Sequence, residues 1–127
     1  MSASVPDYLD HIAQAATDAG SFIEGLDKSD FLADKRSQNA VVMSLVIIGE
    51  AATKIMDQHA DFAEAHSEIP WRSMRGMRNR IAHGYFEINL DTVWDTVQTA
   101  LPELLATLAD VRQQLDQAPD DSDPSPC

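Results

Sequence analysis

The chain has 127 residues, of which 44% are hydrophobic, and that suffices for one domain with one core. A formal net charge of −12 argues against a protein that coats nucleic acid through general phosphate attraction. The single cysteine, Cys127, excludes an intramolecular disulfide and leaves no thiolate set for a metal, so no metal site and no cofactor are expected.

The helical period runs along the chain. Val5, Leu9, Ile12, Ala16, Ala19, Ile23 and Leu26 recur at spacings of three and four, which predicts a first helix. Ser4 is placed to cap it, Pro6 fits its first turn, and Gly25 marks its end. No basic region precedes an apolar stretch here, so a secretory signal is not expected and a cytoplasmic address follows. A second helix is expected from about residue 34, or from 29 with a kink, to about 58. Its segment 40–52 is apolar nearly all round, which predicts the central, most buried helix. The longest apolar run, residues 41–49, is far short of the roughly 20 residues that span a bilayer, so no membrane contact is expected. A short helical piece over 60–66 carries Phe62 and Ala63.

Pro70 restarts the chain, because the residue before a proline avoids the helix while proline itself suits a first turn. Trp71, Met74, Met77 and Ile81 then form one apolar stripe, with Gly84 just past its end. After a loop over 84–89, Leu90, Val93, Val97, Leu101, Leu104, Leu108, Val111 and Leu115 predict a long last helix. Pro102 interrupts it, so a kink or break is expected near Gln98. From residue 116 no large apolar side chain remains, and Asp116, Asp120, Asp121 and Asp123 predict a disordered acidic tail over 116–127. The expected fold of 1–115 is all-α, an antiparallel bundle of four to five helices.

One segment has a composition odd for a plain structural helix. Arg72, Arg75, Arg78 and Arg80 are four of the nine basic residues, and no acidic residue lies between Glu68 and Glu87. Histidine trades protons near neutrality, and arginine offers a permanently charged planar fork for phosphate oxygens. Arg78 and His83 together could therefore cleave RNA without a metal. On a helix, Asn79 and His83 share a face, as do Arg80 and His83, whereas Arg78 lies about 140° from His83. Arg78 and His83 would meet if the helix unwound at its end, or if they faced one another across a symmetric dimer. Asn79, Arg80 and Glu50 are supporting candidates, and Arg72 and Arg75 are candidates for phosphate binding. Glu50, the only charge in the apolar central stretch, is the natural partner for Arg78. Met43, Met56, Met74 and Met77 are expected in the core.

Arg78-Asn79-x-x-x-His83-x-Tyr85 resembles the Arg-x4-His-x-Tyr signature of HEPN domains of the HepT toxin type. Tyr8-Leu9-x-His11-Ile12, Ile47-Ile48-Gly49-Glu50-Ala51 and Ile69-Pro70-Trp71-Arg72 are similar to that family as well, and the likeness covers about residues 5–115. The resemblance implies a homodimer with two motif helices across a cleft, and ribonuclease activity with Arg78 and His83 catalytic. It also implies a partner, a minimal nucleotidyltransferase antitoxin able to transfer AMP from ATP to Tyr85. The alternative is a non-catalytic HEPN module that binds a nucleotide or a protein.

Overall fold

The computed structural model describes residues 3–117, and every regular element among them is helical. Helix α1 (Val5–Phe22) opens on a reciprocal cap: the Ser4 hydroxyl accepts from the Asp7 amide, and the Asp7 carboxylate accepts from the Ser4 amide. It buries Leu9, Ile12, Ala15, Ala16 and Ala19, and ends before a turn in which Gly25 takes φ +83, a conformation that favours glycine. Both expected starts of the second helix are realised as separate helices, α2 (Lys28–Ala33) and α3 (Lys35–Gln58). Asp34 is the joint. Its extended backbone breaks the helix, while its carboxylate accepts from the Arg36 amide and the Ser37 hydroxyl to start α3.

Helix α3 is the core helix, packed chiefly against α1 and α5. Val41, Leu45, Ile48, Ala52 and Ile55 are buried along it. The expected burial all round over 40–52 does not occur: Met43 and Ile47 are 59% and 41% exposed, on one stripe with the exposed Glu50. No described helix covers that side. By length and composition α3 is the one described helix apolar enough to cross a membrane, and half of its apolar window is buried inside the bundle.

After α4 (Ala60–Ala65), helix α5 (Trp71–His83) begins at the buried Trp71, whose indole N–H donates to the carbonyls of Ala63 and His66, 3.1 Å each. Met74 and Ile81 complete its buried stripe. Gly84 caps the end with a negative φ of −144, so the position does not use the left-handed freedom expected of a terminal glycine. A 3-10 turn, Tyr85–Glu87, leads to α6 (Leu90–Asp95), capped by Asn89. A π-helical turn, Thr96–Ala100, then joins α6 to α7 (Leu101–Gln117) without ending the helix. The cause is Pro102, which has no N–H to offer the Gln98 carbonyl; the Leu101 amide reaches five residues back to Thr96 instead. Helix α7 returns along α1, joined to it by an Arg112–Asp10 ion pair, and continues to Gln117, past the expected boundary at Leu115. The rest of the predicted tail, 118–127, lies outside the described residues.

Candidate active site

The site grows from an unusually close approach of two helices. A Cβ on Gly49 would lie 2.3 Å from the Cβ of Arg78 and 2.8 Å from the Met74 carbonyl oxygen, so only glycine lets α5 lie this near α3. Arg78 then reaches along α3. Its Nη1 donates to Glu50 Oε1 at 2.6 Å and its Nη2 to Thr53 Oγ1 at 3.2 Å, while Thr53 itself donates to the Gly49 carbonyl at 2.8 Å. One turn earlier on α5, Arg75 Nη2 donates to Asp57 Oδ1 at 2.9 Å. The two pairs follow from antiparallel packing: the α3 number rises from 50 to 57 as the α5 number falls from 78 to 75. Arg78 is mostly covered, at 23% side-chain exposure, and its Nε has no acceptor among the described residues. With one bond made by each terminal nitrogen, one N–H on each of Nη1 and Nη2 is left over.

His83 is exposed in the last turn of α5, and no hydrogen bond among the described residues reaches its imidazole. The helix stays regular through His83, so it does not unwind to bring Arg78 and His83 together. Five residues of α-helix separate them by about 140° in direction and about 7.5 Å along the axis. Asn79 is exposed on the same side as His83, four residues before it. Arg72 is exposed near the start of α5. Arg80 lies apart from the other arginines: it lines a cavity of about 230 Å³ with Met77 and Thr96, facing the π turn. A larger cavity, about 550 Å³, sits at the start of α5 between Met56, Ala63, Trp71 and Arg72, away from Arg78 and His83.

Tyr85 is 48% exposed, and its hydroxyl donates to Asn39 Oδ1 at 2.9 Å, tying the loop to α3. Phe86 beside it is 99% exposed, its ring edge-on to Tyr85 at 5.8 Å. Asn39, Gly49 and Thr53 are the side of the site that sequence reasoning did not find. A glycine inside an apolar helical stretch was a signal for close packing; nothing local marks Asn39 or Thr53. Among the described residues no three His, Cys, Asp or Glu side chains cluster as metal ligands would.

Comparison with known proteins places the sequence in a family. The family profile described as Ribonuclease HepT-like matches residues 12–111. The chain is 39% identical over 113 residues to a protein of Thermococcus cleftensis named "Probable ribonuclease HepT", covering 89% of this chain and 100% of that one. It is 35% identical over 107 residues to a "Putative RNase" of Caldanaerobacter subterraneus, covering 84% and 93%. No solved structure matches the chain.

Proposed function

Because the chain belongs to the HepT-like ribonuclease family, we propose that it cleaves RNA through Arg78 and His83 brought together across a symmetric homodimer. The observation that carries this reading is the divergence of the two side chains on one regular helix. A second copy turned about a two-fold axis sets His83 of one subunit against Arg78 of the other. Met43, Ile47 and Phe86 are exposed apolar surface on the α3 stripe and the loop after α5, and pairing would take them out of water. His83 takes the proton of the ribose 2′-hydroxyl as that oxygen attacks the phosphorus. The 5′-oxygen leaves and takes a proton from water, and a cyclic phosphate remains. The two spare N–H groups of Arg78 meet the non-bridging oxygens as their charge grows. Glu50 orients the guanidinium, Asn79 orients the imidazole or holds a ribose hydroxyl, and Arg72 and Arg75 attract flanking phosphates.

The biological setting proposed is a toxin-antitoxin pair, with a minimal nucleotidyltransferase as the antitoxin. The half-exposed Tyr85 side chain supports a regulatory role: once its hydroxyl is released from Asn39, the oxygen attacks the α-phosphorus of ATP, pyrophosphate leaves, and the phenolic proton passes to solvent or a base. An AMP group there adds bulk and negative charge beside the site.

Mixing tests the dimeric site. Purified His83→Ala and Arg78→Ala are each expected to be inactive on RNA, with folding unchanged. Mixed one to one and allowed to exchange subunits, they regain about a quarter of wild-type activity, since half the dimers are hybrid and each hybrid holds one intact site. No recovery despite proven exchange would sink the composite site. Growth arrest on expression of wild type and Tyr85→Phe, but not His83→Ala, is the expected result in cells.

A further inference from the structure

We infer that Thr53 is a positioning residue for RNA cleavage, holding the plane of the Arg78 guanidinium so that its spare N–H groups face the scissile phosphate. The inference rests on the proposed catalytic role of Arg78. A carboxylate alone leaves an arginine free to swing: Glu50 is 49% exposed and grips only Nη1. A second point on Nη2 removes that freedom, and Thr53 supplies it. The Thr53 hydroxyl has one proton, and that proton is committed to the Gly49 carbonyl at 2.8 Å. Its lone pairs are therefore left to accept from Arg78, and the hydroxyl cannot turn round and donate elsewhere.

Gly49 makes the arrangement reachable. By allowing Arg78 Cβ to lie directly against the α3 backbone, it brings the guanidinium level with Glu50 and Thr53 on the next turn. The buried Nε of Arg78, with no acceptor among the described residues, shows that the head group is placed by its two terminal nitrogens. An arginine gripped at both ends loses little freedom when phosphate binds, and geometry of this kind governs turnover more than affinity.

The test compares Thr53→Val, which keeps shape and removes the hydroxyl, with Thr53→Ser, which keeps the hydroxyl. Thr53→Val is expected to lower kcat on the order of ten- to a hundredfold with KM nearly unchanged, and Thr53→Ser to restore most of it. In ¹⁵N spectra, the Arg78 side-chain N–H signals should sharpen in wild type and Thr53→Ser and broaden in Thr53→Val. Wild-type kcat in Thr53→Val, with Arg78→Ala inactive, overturns the inference alone. So does a Thr53→Ser variant as slow as Thr53→Val. Full turnover by Arg78→Ala would remove the catalytic assignment itself, and the inference with it.

Discussion

Toward α1, the contact of α3 is made from apolar side chains: Leu9, Ile12, Ala15, Ala16 and Ala19 of α1 are all buried, Leu9 and Ile12 completely. Toward α5, burial of Trp71, Met74 and Ile81 is joined along one edge by a polar seam, in which α3 presents Gly49, Glu50, Thr53 and Asp57 and α5 answers with Arg75 and Arg78. The first face follows the hydrophobic effect, which is strong and indifferent to direction. The seam is built from contacts with fixed geometry, and half-exposed ion pairs of this kind contribute little to stability. Burial therefore holds the bundle together, through Trp71, Met74 and Ile81 of α5 as well as through α1, while one edge of the α5 contact also holds a charged head group in place.

Substitutions separate the two faces. The largest stability effect belongs to the α1 side: Ile12→Ala should cost about 3 kcal/mol in urea unfolding, through lost burial and the cavity left behind. Turnover per folded molecule should stay at the wild-type value, and a tenfold drop in it would break the division. Gly49→Ala comes next. Its methyl group meets Arg78 Cβ and the Met74 backbone, which cannot give way without moving α5. Overpacking of about 1–3 kcal/mol is expected, and here turnover should fall as well. Loss of stability with normal turnover would show that the α3–α5 spacing does not matter to chemistry.

The smallest effect comes from acid. Hydrogen bonds from the Ser4 backbone and hydroxyl hold the Asp7 carboxyl below the usual carboxylate range, and the Ser37 hydroxyl does the same for Asp34. A carboxyl whose folded pKa is depressed adds stability above its unfolded value and loses it as pH falls through the folded one. Amide protection at the starts of α1 and α3 should therefore weaken as pH drops below about 4. The start of α5 has Pro70 as its cap, with no side-chain bond to lose, and should not follow. Equal loss at all three helices would mean that acid acts on the packing, not on the caps.

Much of the fold is legible residue by residue, because caps and periods are local. Ser4 and Pro6 at the start of α1, Trp71 at the start of α5 and the disturbance upstream of Pro102 all depend on neighbours within about five residues. The arginine-rich segment and the Glu50 partner of Arg78 are equally visible, the first as composition and the second as the only charge in an apolar run. Exposure of Met43 was not, since an apolar residue on a central helix has no local mark saying that one side lacks a neighbour.

Period, caps and composition settle that the chain is helical, where its helices start, and which segment carries arginine and histidine. Tertiary structure alone decided that Gly49 is a point of helix contact, that Thr53 and Asn39 bond to Arg78 and Tyr85, and that Arg80 lines a cavity with Met77 and Thr96. It also decided that Arg78 and His83 part company on a regular helix. The physical reason is distance along the chain. Thr53 and Arg78 are 25 residues apart, and Asn39 and Tyr85 are 46, so their meeting depends on how whole helices pack and not on any local preference.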